Sequence, residues 1–364
     1  MQTGFSSLQI IAGALIVVVL LFGAYYFGNS SYIQPSPTTQ QVHPIDETSV
    51  YPTFDPVTKI AYTQDGDIFV YDLKNGDNKK LTDHKYNSDP VISPDGTKVA
   101  YLSTPQTIID TNQLKTNFAN VYKYKNIWII NSDGTNPIQI TNDLKKRSGI
   151  SWHKTVNGSL EIIFEQDGKL IKYDLKNNDF SSLSDGSSPI FAHNSSYFAY
   201  LTNEGKTLNM QPDGLLKSFQ HDKKISDLNW SYDNKHIFFT SIDTSDQQGH
   251  TSTLRLKYAI WYYSPYTQNA TQITEYQDLI NLPTISPDGR YLVAKQGHGY
   301  FDAGMSGLRL VVLPLKEDLT VEKEIYLKEF QGPEDFNKNK DQGSDFPETL
   351  PIWISNDEFV VLYR

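Results

Sequence analysis

The stretch Gly297 to Gly304 reads GHGYFDAG and places His298, Tyr300 and Asp302 close together. A neutral imidazole can ligate a metal or act as a general base, and a nearby carboxylate can orient it or complete a coordination shell. His250, in DTSDQQGHTST, is the candidate partner from another segment. Two histidines from separate segments support this chemistry only if folding brings them together; two solvent-facing histidines are the plainer reading. The string NKNKDQGSDFPE has oxygen donors Asn337, Asn339, Asp341, Asp345 and Glu348 at relative positions 1, 3, 5, 9 and 12. Calcium takes six to eight oxygens at such spacing. However, position 1 of a calcium loop is ordinarily Asp, and position 6 holds Gln342 with the glycine one residue late. A solvated acidic loop therefore reads first and a calcium loop second. KYAIWYYSPY, Lys257 to Tyr266, offers rings for sugar stacking, or strand residues that alternate between two packed faces.

Other catalytic signatures are absent. Gly304-Met305-Ser306-Gly307 lacks the spacing of a nucleophile elbow, and the chain has no H-E-x-x-H, P-loop or G-x-G-x-x-G. It has no cysteine, hence neither a thiol nucleophile nor a disulfide.

A repeat would hold such residues in place. SPDGTKVAYLS, Ser93 to Ser103, returns as SPDGRYLVA at Ser286 to Ala294. Weaker versions are FDPVTKIAYT from Phe54, HNSSYFAYLT from His193 and WSYDNKHIFFTS from Trp230. Pro94 presets φ for a turn, Ser93 and Asp95 can bond nearby amides, and Gly96 tolerates positive φ. Val99 to Leu102 then have strand composition. NIWIINSDGTNPIQIT, Asn126 to Thr141, adds strand, turn, strand. The unit is a four-stranded meander with strands a, b, c and d, whose faces need neighbours to cover them. A period of roughly 40–50 residues with four strands points to a propeller.

The blades read as Tyr51 to Asp83, Asp89 to Asn142, Ser148 to Asp185, Ser188 to Asp222, Lys224 to Glu275 and Asn281 to Glu329. Leu350 to Arg364 supplies strands a and b of a further unit. The expectation is an all-β propeller of four-stranded antiparallel blades, seven in number with the last incomplete. The alternative is six blades with an accessory C-terminal hairpin. Gln40 to Ile45 is a candidate closing strand. Long connections fall at Thr104 to Lys125, Asp243 to Thr253, Gln296 to Gly307 and Phe330 to Thr349. All are b–c or d–a connections, which emerge on one face of a propeller, and long loops on a rigid ring commonly carry recognition.

The SPDG-x-x-(I/V)-A-Y phrase followed by IWIINSDG resembles the TolB-type, WD-like propeller repeat, from about Tyr51 to Arg364. The resemblance implies the fold, with the SPDG phrases as blade scaffolding. It implies less about function, because repeats of this type occur in TolB-like envelope proteins, in the propeller of prolyl oligopeptidases and in some polysaccharide lyases.

A formal net charge of −10 without a basic run argues against nucleic acid as a partner. Leu8 to Phe27, LQIIAGALIVVVLLFGAYYF, is long enough to cross a bilayer core, which takes about 20 apolar residues as a helix. A cleaved signal peptide is the rival reading, but its apolar core is usually about 7–15 residues and follows a basic start. The expected organisation is a short tail (1–7), a transmembrane helix or signal anchor (8–28), a Pro/Ser/Thr/Gln-rich linker (29–48) and the propeller (49–364). The functional expectation is a single-pass cell-membrane protein with its propeller outside the cytoplasm. It would bind an envelope protein or a glycan through the b–c/d–a face, with His250, His298, Tyr300 and Asp302 as candidate binding residues. No cofactor is called for beyond the calcium that Asn337 to Glu348 would take. The alternative is a glycan-active lyase or hydrolase using the same face.

Overall fold

The computed structural model describes residues 16–21, 58–110, 124–193, 195–211, 216–244, 256–277, 279–301, 304–321, 325–326, 330–331, 352–353 and 358–363. The repeat folds outward from its turns. Ser93 Oγ donates to Asp95 Oδ1 at 2.7 Å and accepts from the Lys98 amide at 3.0 Å. The Gly96 amide donates to the Ser93 carbonyl at 2.8 Å, with Gly96 at φ 69°. Ser286, Asp288, Gly289 and Tyr291 repeat this geometry. In the weaker WSYDNKH phrase, Ser231, Asp233 and His236 do the same, and Asn234 takes the glycine's place at φ 59°. The short Asx side chain tolerates that region.

These turns link strands a and b of blades two, five and six. Blade two is Asn87–Ile92, Lys98–Ser103, Asn126–Asn131 and Ile138–Gln139 as strands a to d. Blade three is Arg147–Lys154, Leu160–Gln166, Lys169–Asp174 and Asp179–Asp185. Blade four is Ser187–Phe191, Phe198–Thr202, Thr207–Met210 and Lys217–Gln220. Blade five is Lys224–Trp230, Ile237–Asp243, Lys257–Ser264 and Asn269–Gln272. Blade six is Ile280–Ile285, Tyr291–Phe301, Gly304–Pro314 and Ile325–Tyr326, with Phe330–Gln331 also paired to its strand c. Blade one contributes b, c and d: Lys59–Gln64, Asp67–Asp72 and Asn78–Lys80.

Side chains alternate across each pleat, so every blade packs on two neighbours. On strand b of blade two, Ala100 and Leu102 join Ile162 and Phe164 of blade three, whereas Val99 and Tyr101 join Ile68 and Val70 of blade one. In blade five, Trp261 and Tyr263 face blade four, while Tyr258, Ile260 and Tyr262 face blade six. The tyrosine-rich Lys257 stretch is thus inter-blade core, as alternation predicts. Strand a of blades two to six carries a register shift at the same place, with one residue at positive φ: Asp89, Gly149, Ser188, Asp227 and Leu282.

The blade count corrects the seven-bladed expectation: the described residues form six. The last strands, Ile352–Trp353 and Glu358–Tyr363, pair instead with Ile16–Leu21 in a three-stranded sheet. Trp353 Nε1 donates to the Thr284 carbonyl of blade six at 3.3 Å, much as Trp152 Nε1 of blade three donates to Val91 of blade two at 2.8 Å. Ile352 packs against Ile60 and Tyr62 of blade one. This sheet therefore touches both the first and the last blade.

The transmembrane helix is also corrected where the structure describes it. Ile16–Leu21 is strand, and no helix among the described residues is long and apolar enough to cross a membrane. β-Branched Ile16, Val17, Val18 and Val19 favour extended backbone, and pairing with Glu358–Tyr363 supplies the partners that a helix would supply internally. The rest of the apolar run, the tail, the linker and the Gln40 to Ile45 strand candidate lie outside the described residues.

Candidate binding site

The predicted site residues fall differently from expectation. Gln296 to Gly307 is not a loop. Strands b and c of blade six continue through it, with His298 opposite Gly307, Tyr300 opposite Met305 and Phe301 opposite Gly304. Antiparallel pairing satisfies the amides of both arms, and no proline interrupts either one. His250 and Asp302 lie outside the described residues. The calcium-type string, with Asn337, Asn339, Asp341, Asp345 and Glu348, also lies outside them. No cluster of three His, Cys, Asp or Glu side chains suited to a metal occurs among the described residues.

The structure instead shows a cavity of about 480 Å³ between blades one and two, reaching the b–c/d–a face. Blade two supplies its floor: Tyr101 and Ser103 from strand b, and Asn126 and Trp128 from strand c, with Tyr101 directly opposite Trp128. Blade one supplies Leu81, Thr82 and His84 after its last strand. The start of the blade-two insertion, Thr104 to Thr107, closes one side, and Gln106 opens the short helix Gln106–Asp110.

Local bonds fix this lining. Threonine hydroxyls two residues after strand d accept from an amide near the start of strand c: Thr82 from Ile68, Thr141 from Ile127 and Thr274 from Ile260, each at 2.9 Å. Thr82 also donates to buried Asp67 at 3.2 Å and accepts from Asn87 at 2.9 Å. Asn126 Oδ1 accepts from Thr141, from the Asp143 amide and from Arg147, each at 3.2 Å. Buried Arg147 also holds the Lys125 carbonyl, Gln166 and Asp143. His84 Nε2 donates to the Thr104 carbonyl at 3.0 Å, tying the insertion to blade one.

Several polar atoms remain unpaired. Tyr101 is only 4 % exposed, yet its hydroxyl bonds to no other described group. Burial pushes the Tyr101 phenol up to about 12, so it stays protonated and able to donate. The Ser103 hydroxyl, the Asn126 amide nitrogen and the Trp128 indole nitrogen likewise have no partner among the described residues, and all three residues line the cavity. Lys125, just outside, is buried; desolvation holds its ammonium below the usual range, and Asp89 opposes that shift.

A second constellation has the order of a nucleophile relay. Ser241 Oγ lies 2.8 Å from His221 Nε2, and His221 Nδ1 lies 3.7 Å from Asp222 Oδ1. Its geometry excludes that role. Ser241 is 0 % exposed and also bonds the Tyr276 hydroxyl at 2.6 Å, so no substrate carbonyl can reach it. Burial holds the His221 imidazole below its ordinary pKa, against the carboxylate of Asp222.

Sequence reasoning assigned Tyr101, Ser103, Asn126 and Trp128 to blade scaffolding. The available signal was a pair of polar residues, Ser103 and Asn126, flanking the longest b–c insertion.

No family model and no curated protein matches this chain. Solved structures do. An oligogalacturonate lyase from Vibrio parahaemolyticus matches with TM-score 0.52 and 13% identity, over 82% of this chain and 82% of that one. An oligogalacturonate lyase in complex with manganese matches with TM-score 0.51 and 13% identity, over 84% and 85%. TolB from Acinetobacter baumannii matches with TM-score 0.46 and 16% identity; the match takes in 71% of this chain and 61% of that protein. Together with the six blade sheets, the two lyase similarities define the class, an all-β propeller. Identities this low carry the fold alone.

Proposed function

We propose that this chain is a non-catalytic binding module whose b–c/d–a face receives its ligand or partner in the cavity between blades one and two. One observation carries the reading. A pocket within the roughly 300–1,000 Å³ range of ligand sites is lined by polar groups that have no partner among the described residues. The finer proposal is that the propeller lies outside the cytoplasm, with an envelope protein or glycan as partner; the net charge of −10 without a basic run argues against nucleic acid. A glycan-active lyase or hydrolase on the same face is the competing outcome.

One experiment addresses all of this. Full-length chain is fractionated from its host, extracted and offered envelope components and a polysaccharide panel, beside a Ser103→Phe variant whose added ring fills the cavity. Specific capture that Ser103→Phe abolishes, and no turnover, are expected. Turnover of any polysaccharide overturns the non-catalytic reading. Capture that survives Ser103→Phe overturns the cavity.

A further inference from the structure

Resting on the binding-module reading, we infer that the cavity between blades one and two takes a neutral sugar unit of an oligosaccharide. Among the described residues lining the cavity there is no Asp, Glu, Lys or Arg. A ligand carboxylate or ammonium would be desolvated there without a countercharge, which is costly. An acidic sugar, a phosphate or a charged peptide side chain is therefore disfavoured, in a protein whose charge is otherwise abundant.

The second element is the set of free polar groups. Tyr101 Oη and Ser103 Oγ each donate and accept, while Asn126 Nδ2 and Trp128 Nε1 donate. They come from adjacent strands b and c: Ser103 pairs with Asn126, and Tyr101 pairs with Trp128. Cross-strand neighbours stand about 4.5–5.5 Å apart at Cβ, so all four groups serve one compact object. Such a cluster calls for a neutral body with hydrogen-bonding groups all round its rim. A pyranose meets that demand, because its hydroxyls both donate and accept. Its C–H face can also lie against an aromatic ring, and both Tyr101 and Trp128 offer one. An extended peptide presents its amides along a line, and it would more readily add to an exposed strand edge than enter a pocket between two blades.

Third, no group among the described residues fills these valences. Asn126 has committed its oxygen to Thr141, Asp143 and Arg147, which fixes the amide and leaves its nitrogen facing the cavity. His84 is held against the Thr104 carbonyl and does not cover Ser103. The floor is thus preorganised, which lowers the entropic cost of binding.

The test is a glycan array carrying neutral and acidic oligosaccharides, probed with full-length detergent-solubilised chain, followed by titration calorimetry on the best neutral hit. Tyr101→Phe and Ser103→Ala each remove one hydroxyl and leave the packing in place. Each is expected to weaken binding about 2–10-fold, the range for one neutral hydrogen bond, with an unchanged melting temperature. Trp128→Phe, which keeps a ring and removes the N–H, is expected to behave likewise. A blank neutral panel, preference for acidic sugars, or affinity untouched by Tyr101→Phe and Ser103→Ala would overturn the assignment. If the array is blank while Ser103→Phe still abolishes capture of an envelope component, the sugar assignment fails and the binding-module reading stands.

Discussion

Two interfaces of this propeller use the same strand positions and end differently. Counted from their turn serines, Ser93 and Ser231, strand b places Tyr101 and Ser103 between blades one and two, and Phe239 and Ser241 between blades four and five. The opposing strand c places Trp128 against Tyr101 and Trp261 against Phe239. Each interface also receives a histidine from the preceding d–a connection, His84 or His221. At blades four and five the space is filled. His221 packs edge-on to Trp261 at 4.9 Å and to Phe239 at 5.7 Å, and Ser241 is bonded by both His221 and Tyr276. At blades one and two it is open. The difference traces to the residue two places after the strand-d threonine. After Thr274 it is Tyr276, which caps Ser241; after Thr141 it is Asp143, which turns to Arg147 and leaves Ser103 bare. A site can thus be made in a repeat by withholding one ring.

The largest expected consequence concerns packing. Phe239→Ala in the filled interface should destabilise the protein by about 3–5 kcal/mol, as buried aromatic truncations do. Tyr101→Phe in the open one should leave the urea midpoint nearly unchanged, because no bond within the described residues is lost. Equal losses from the two variants would mean that the interfaces are packed alike and the contrast is false.

Acid should separate them next. His193, stacked on Tyr232 at 4.0 Å between blades four and five, is held down to about 4 by burial, against its bond to the Trp230 carbonyl. His221 in the same interface is lowered too. A depressed imidazole contributes stability fully above its unfolded value near 6.5, and loses that contribution as pH falls toward the folded value. Amide protection factors, the exchange rates divided by their intrinsic values at each pH, should therefore fall in Phe198–Thr202 and Ile237–Asp243 between about pH 6.5 and pH 4. His193→Gln should flatten that dependence. A pH-independent protection factor would break this part of the contrast.

The smallest effect is the cap itself. Tyr276→Phe should cost about 0.5–1.5 kcal/mol, since Ser241 keeps His221 as a partner. A loss near zero would show that Tyr276 fills space without satisfying Ser241, and would sharpen the contrast to one of volume alone.

Much of the fold was legible because turn chemistry and strand alternation are local. The Ser-Pro-Asp-Gly phrases and the strand parity of Lys257 to Ser264 placed the blades within a few residues. Closure was not legible. Whether Leu350 to Arg364 begins a full blade depends on which distant strand pairs with Glu358–Tyr363, and that contact leaves no local mark. The apolar run Leu8 to Phe27 misled for a related reason. Length and hydropathy indicate a helix in lipid, whereas the β-branched stretch Ile16–Leu21 pairs as strand when an edge is available. The cavity was the least legible feature. Tyr101 and Trp128 are ordinary strand residues in composition, and only the absence of a partner distinguishes them. A sequence shows which groups are present, and a fold is needed to show which remain unpaired.

Strand parity in blade two has a consequence for how such a ring can acquire new specificities. Residues 99 and 101 serve one neighbour, and residues 100 and 102 serve the other. Substitutions at odd positions of this strand can reshape the cavity toward blade one without disturbing the seam with blade three. Each seam is in effect a separately adjustable compartment on a shared wall, coupled to the rest of the ring only through its immediate neighbours. Selection acting on one ligand can then alter one seam and leave the others free to keep the ring standing.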